Sequence, residues 1–380
     1  MGERASGLES QLITDPTEIA GIEDEWRAMA ELRGNGFITP EWFRSWWANR
    51  PDGTSPVIAA AHKADGSLAG VMPLVLDFSR RPRMIRFAGA SFGDRFGPAA
   101  AERDELEVAA ASMVALRDAG LDRYTLMLDH VEPDQQWWQG IRRESAHERA
   151  SIVQQRSEQP YIDLRGLDWE SYLASRSSSF RKKLRQRERK LTSAYEVVDR
   201  TATDTTLEAD LARFFDLHES RWEGGSALDA PGAIGVLRDF AVAAQRRGWL
   251  RLRLLEVDGT AVAAFLGWRL GDRYTFYQSG FEPDWGEFSV GIALLTRTIQ
   301  SAIEEGATEF DMLLGTEAYK RRFQNAGRDV NTVVLPRAMA PARVLVAAEV
   351  GARRLGRRVI EHPEALPPAL RRMLPTSRGV

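Results

Sequence analysis

The run Leu250-Arg-Leu-Arg-Leu-Leu-Glu-Val257, then Asp258-Gly259, then Thr260-Ala-Val-Ala-Ala-Phe-Leu-Gly-Trp-Arg-Leu270, decides the fold. Leu250–Val257 alternates as a strand, Asp-Gly is a strong hairpin turn, and Ala261–Leu270 is the return strand. Gly271-Asp272 marks a second turn and Tyr274–Phe281 a third strand. Downstream, Pro283–Phe288 reads as a loop and Ser289–Glu305 as a long helix stopped by Gly306. A strand at Glu309–Leu314, a short helix at Tyr319–Phe323 and a last strand at Asn331–Leu335 follow. Upstream, Leu207–Trp222 places Leu211, Phe214, Phe215, Leu217 and His218 near one helical face, and Asp229–Arg247 is a second helix closed by Gly248.

The first half repeats this order. Thr17–Glu31 and Pro40–Ala48 read as helices, Val57–Lys63 and Leu68–Phe78 as strands around Asp65-Gly66, and Met84–Ala90 as a third strand. Asp104–Ala119 is a helix ending at Gly120, and Tyr124–Leu128 a strand. The two Asp-Gly turns lie 193 residues apart (66 to 259) and the two helix-ending glycines 186 apart (120 to 306). Such similar offsets point to duplication of one α/β unit, with Tyr161–Leu164 and a basic helix as the join.

Composition narrows the chemistry. The 380 residues suggest about two domains, and 43% hydrophobic with 28% charged residues fits a soluble globular protein. With no cysteine there are no disulfides, iron–sulfur clusters or cysteine nucleophiles, and the five histidines have no metal-ligand spacing, so no metal is expected. The charged N-terminus does not resemble a secretory signal and the apolar runs are short, so a cytoplasmic location is expected. Net charge is −3, but residues 337–380 carry nine arginines against three glutamates, +6 in all. A second basic block holds seven cations between Arg181 and Lys190. Such a block either attracts phosphates or forms a solvated helix face.

Ser179-Phe-Arg-Lys-Lys-Leu184, His218-Glu-Ser-Arg-Trp222, Asp258-Gly, Tyr277-Gln-Ser-Gly280, Ser289-Val-Gly291 and Phe310-Asp-Met-Leu-Leu-Gly-Thr-Glu-Ala-Tyr-Lys320 together resemble the CelD-type acetyltransferases. These are a branch of the GNAT superfamily related to the Fem-type aminoacyltransferases and linked to exopolysaccharide biosynthesis. The resemblance implies an α/β (α+β) tandem GNAT fold, with two mixed, mostly antiparallel sheets flanked by helices. It divides the chain into a degenerate N-terminal copy (8–155), a C-terminal acyltransferase copy (156–336) and a basic helical tail (337–380). The implied activity is transfer of an acyl group, acetyl first of all, from acyl-CoA to an amine or hydroxyl of a cell-envelope or polysaccharide precursor.

That activity needs a phosphate site and three chemical duties. A helix N-terminus offers backbone N–H groups to a pyrophosphate if the first turn holds no acid. The second-copy helix opens Ser289-Val290-Gly291, acid-free, whereas the first-copy helix opens Glu102-Arg-Asp-Glu105-Leu-Glu107. The donor is therefore assigned to the second copy, with Ser289, Val290, Gly291 and Lys320 as its contacts; an ordinary N-cap and a packing glycine are the alternative. The nucleophile must lose a proton, the oxyanion must be stabilised and the thiolate protonated. Without cysteine, direct attack in a ternary complex is preferred. Tyr319 is the candidate acid, with a buried structural aromatic as the alternative, and His218, Asp311 and Glu317 are candidate bases or substrate anchors, a histidine on such a helix being more often structural or substrate-orienting. Arg221, Trp222 and Tyr277 are placed at the acceptor, with Trp268 and Trp285 as further aromatic candidates. The partner expected is a small-molecule or glycan-precursor acceptor, with no stable nucleic acid and at most weak membrane-surface contact through the basic tail. Two other readings stay open: a Fem-like enzyme using aminoacyl-tRNA, with the 181–190 helix on RNA, and a non-catalytic scaffold for polysaccharide synthesis.

Overall fold

The computed structural model describes residues 7–79, 83–145, 152–222, 226–315 and 317–335; the expected tail at 337–380 lies outside them. The first half runs β1 (Glu9–Ile13), α1 (Glu23–Leu32), α2 (Pro40–Asn49), β2 (Thr54–His62), β3 (Leu68–Asp77), β4 (Met84–Phe87), β5 (Ala99–Ala100), α3 (Glu105–Asp118), β6 (Thr125–Val131), α4 (Gln136–Glu144) and β7 (Ile152–Asp163). Helices α5 (Trp169–Ala174) and α6 (Ser178–Thr192) lead into the second half. It comprises β8 (Val197–Thr201), α7 (Leu207–Trp222), α8 (Ala233–Arg246), β9 (Leu250–Val257), β10 (Thr260–Leu270), β11 (Arg273–Phe281), α9 (Val290–Glu304), β12 (Glu309–Asp311), α10 (Ala318–Phe323) and β13 (Ala326–Leu335).

The fold is the mixed α/β, helix-flanked architecture expected, and its two sheets run on into one. The strand order is β1-β2-β3-β4-β6-β13-β7-β12-β11-β10-β9-β8, with β5 paired to β3. Read from either end the order is the same repeat: four strands, a parallel step (β4 to β6, β11 to β12), then a strand borrowed from the other half. The last strand β13 pairs antiparallel with β6, and β7 pairs antiparallel with β12. The two exchanged strands pair with each other at the centre, from Ala326↔Tyr161 to Val334↔Ile152. The expected division at 155/156 falls inside β7, a strand whose hydrogen bonds serve both halves.

Local chemistry sets the elements. Asp258 and Gly259 both take positive φ in the two-residue turn between Val257 and Thr260, the geometry that suits a right-twisted hairpin. Thr39 caps α2, its hydroxyl accepting from the Trp42 amide, with Pro40 at the first helical position. β3 is a continuous buried run because helices cover both faces of the sheet. The strand expected over Glu309–Leu314 ends at Asp311, because the Asp311 carboxylate takes the Leu313 amide at 2.9 Å and Leu313 turns to φ +57°. The short edge strands β1 and β8 carry too little periodicity to be read in advance, and α4, though amphipathic, is only nine residues long.

A block of aromatic rings locks the halves together. Trp42 of α2 meets Phe240 of α8 edge-on at 5.1 Å, and Phe37 meets Trp268 likewise at 5.2 Å. Trp42 and Trp268 are fully buried, each stabilising the junction by roughly 1.5–3 kcal/mol through burial alone. Gly36 lies so close to Trp268 that a Cβ there would stand 2.5 Å from the indole nitrogen.

Candidate functional site

The parallel pair β11–β12 is joined only through Arg273, Tyr274 and Thr275 opposite Glu309, Phe310 and Asp311. Beyond these the strands part, and the edge of β11 from Phe276 to Phe281 has no strand partner on that side among the described residues. This parting is the cleft at which the candidate side chains gather. Helix α7 lies close over its rim: a Cβ at Gly280 would be 2.3 Å from the His218 nitrogen, so only glycine admits the helix. That approach places His218, Arg221 and Trp222 against Gln278, Ser279 and Phe281 of β11.

His218 is buried, with Nε2 3.2 Å from the Ser226 hydroxyl and 3.4 Å from Gln278 Oε1. Burial lowers its pKa to about 4, so the imidazole is neutral at physiological pH and a poor base. Arg221 donates to the Ser279 carbonyl at 3.2 Å, stacks over the Trp222 and Phe281 rings and reaches the Tyr319 hydroxyl. Tyr319 is pushed well above the usual phenol range by burial and by neighbouring Glu317, so it holds its proton. Beside it, Glu317 keeps one carboxylate oxygen without a hydrogen-bond donor, 3.3 Å from Lys320 Nζ.

The loop carrying these residues is held by partners from far along the chain. Leu314 N–H donates to the Asp94 carboxylate of the first half at 3.2 Å, and Lys320 Nζ donates to Leu314 O at 2.6 Å. Gly315, at φ +140°, leaves the space that Glu317 and Lys320 fill. Asp94 is raised above the usual carboxylate range, chiefly by burial. Sequence reasoning missed Asp94, because its partner lies 220 residues away.

Several candidates stand elsewhere. Lys320 is buried as the clamp of its own loop, not free for donor phosphates. Asp311 is 1% exposed and saturated: it accepts both Gln159 Nε2 contacts (2.9 and 3.1 Å) and the Leu313 amide, with Arg95 at 3.7 Å. It fixes the strand end rather than facing a substrate, and Arg221 and Lys320 are not its partners. Tyr277 points into the junction between the halves, donating to Phe92 O at 2.7 Å, and Trp268 is in the core, so neither lines an acceptor groove. Trp285 meets Tyr195 edge-on and Phe288 at a tilt in the turn before α9.

At the head of α9, Ser289 adopts φ +54° and its side chain does not cap the helix; no acid occupies the first turn. Gly291 faces the Phe281 ring, a Cβ there lying 3.0 Å from it. Among the described residues no group of three or more His, Asp or Glu is placed to hold a metal ion, and no helix is long and apolar enough to cross a membrane.

Residues 178–321 match the family model of the acetyltransferase (GNAT) domain, the stretch that contains the cleft. No curated protein sequence matches the chain. Solved structures share its architecture over most of its length. FemX aligns with TM-score 0.58 at 11% identity, over 85% of this chain and 96% of FemX. The C-terminal domain of a putative lysylphosphatidylglycerol synthetase from Agrobacterium fabrum aligns at 0.55 and 12%, over 88% and 96%. L-PGS from Bacillus licheniformis aligns at 0.52 and 15%, over 86% and 96%. At these identities the likeness is one of fold, and the GNAT domain match lies in the second half.

Proposed function

We propose that the chain is an acyltransferase that binds an acyl-CoA thioester, acetyl-CoA first of all, in the β11–β12 cleft. Its acyl group passes directly to an amine or hydroxyl of a cell-envelope or polysaccharide precursor. The observation that carries this reading is the parted β11 edge, lying inside the matched domain and ending at an acid-free helix. The β11 edge from Phe276 to Phe281, which lacks a strand on the β12 side, can run beside an extended pantetheine arm as a missing strand would, and the α9 N-terminus can receive its pyrophosphate. Acceptor attack on the thioester carbon forms a tetrahedral oxyanion; its collapse breaks the C–S bond and sends the electron pair to sulfur. Glu317, ion-paired with Lys320, takes the nucleophile's proton, and Tyr319 protonates the departing thiolate. Arg221 holds the tyrosine hydroxyl in place. His218, neutral and held between Ser226 and Gln278, orients the acceptor. Asp94 keeps the 311–320 loop in position from the first half.

Calorimetry with acetyl-CoA, longer acyl-CoAs and charged tRNA tests the donor. Micromolar binding of a CoA thioester is the expected result. One specific feature favours a second reading with an aminoacyl-tRNA donor: Lys182 and Lys183 of α6 and Arg321 and Arg322 of α10 are exposed and without ion-pair partners among the described residues. Salt-sensitive binding of charged tRNA with no response to thioesters would select that reading. Binding of neither leaves the scaffold role.

A further inference from the structure

On the other flank of α9 lies a groove of about 680 Å³ between α5, α6 and α9, with Arg253 and Asp199 of β9 and β8 at its base. Its volume is that of a small-molecule site. Leu173, Leu184, Ile292 and Ala293 give it an apolar floor that begins one residue past Gly291. Most of its charges cancel. Arg253 pairs with Asp199, Arg297 with Glu188 at 2.6 Å, and Arg181 donates to the backbone carbonyls that end α5.

Two cations remain. Arg185 and Arg187 line the groove and no carboxylate among the described residues pairs with either. Arg187 is half-buried and feels Arg322 of α10 as its charged neighbour, so burial and a like charge both disfavour its guanidinium. A half-buried arginine facing another arginine lacks an anion. The missing group fits a phosphate on a planar, partly apolar body, since the floor suits a flat ring and the arginine end a dianion. The basic tail is a poor occupant, because its +6 charge is repelled by the same arginines.

We infer that this groove holds the adenosine 3′-phosphate end of the donor, with the adenine on the Leu184–Ile292 floor and the 3′-phosphate at Arg187. This rests on the proposed use of a CoA thioester, and it adds a specificity: the enzyme distinguishes CoA from its 3′-dephosphorylated form. α6 is then a nucleotide-binding helix, and its basic composition has a named ligand.

The test is calorimetry of the full chain with acetyl-CoA and with 3′-dephospho-acetyl-CoA, for the native protein, Arg187→Gln and Ala293→Trp. The native chain should prefer acetyl-CoA by about tenfold, the order of one charge-assisted phosphate contact. Arg187→Gln should remove that preference and leave dephospho-donor affinity unchanged, while Ala293→Trp, which fills the floor, should weaken both. Equal native affinity for the two donors, or a preference that survives Arg187→Gln, overturns the groove assignment and leaves the thioester reading standing. If neither donor binds, both readings fall.

Discussion

The two halves share one strand order and differ in the gap where their parallel strands part. In the first half the gap is filled. β4 and β6 pair through Met84–Thr125 and Ile85–Leu126, after which Arg86 of β4 bonds Asp129 of β6 at 2.9 Å. Phe87 stacks on Phe96 at 5.4 Å and takes the Trp137 edge at 6.0 Å. Helix α4 closes down on α3 so tightly that a Cβ at Gly140 would lie 2.2 Å from Leu106 O. Acids crowd the start of α3: Glu105 is buried against Arg33, and Glu107 bonds Arg143. In the second half the strands part after Thr275 and Asp311, the helix tip is free of acid, and Arg221, Glu317 and Tyr319 gather beside the parting. A duplicated scaffold thus separated its duties: one copy packs, the other presents a cleft, and Asp94 carries support from the first to the second.

That contrast can be broken at its most reactive point first. Tyr319→Phe should lower kcat on the order of a hundredfold with KM little changed, since only proton delivery to sulfur is lost. An unchanged kcat in steady-state assays would remove the acid from Tyr319. Gly291→Glu gives the second helix the acidic tip of the first and should weaken acetyl-CoA binding about thirtyfold by titration, combining anion repulsion with displacement of Phe281. Retained affinity would show that the α9 tip does not hold the donor.

The first copy is predicted to respond in stability rather than in binding. Gly140→Ala should cost about 2 kcal/mol in denaturant unfolding, since the α3–α4 contact must spread, while the folded variant binds donor as before. The smallest effect is electrostatic. Burial raises Glu105 to about 7, so the folded state holds this proton more tightly than the unfolded chain. Its contribution to stability is present below about pH 4.5 and is lost as pH rises through 7. Glu105→Gln should flatten the melting temperature over that window; an unaltered slope would mean that Arg33 keeps the carboxylate ionised.

The grouping of the candidate residues was legible where its signals are local. His218, Arg221 and Trp222 share one helical face and one cleft rim, and Glu317 and Tyr319 lie two residues apart in the loop that closes the cleft. Asp311 and Lys320 misled because an ionisable residue type says nothing of burial. Asp311 is saturated by Gln159, 152 residues earlier, and Lys320 turns back on its own loop.

From the sequence alone came the duplicated element order, the Asp-Gly hairpins and the contrast between an acidic and an acid-free helix tip. These depend on periodicity and on residues next to one another in the chain. Tertiary structure alone decided the exchange of β7 and β13, the sealing of the first gap by Trp137 and the Arg86–Asp129 pair, and the reach of Asp94 into the second half. Each of these joins residues that chain order keeps far apart, and sheet pairing and side-chain packing are chosen only when the whole molecule closes.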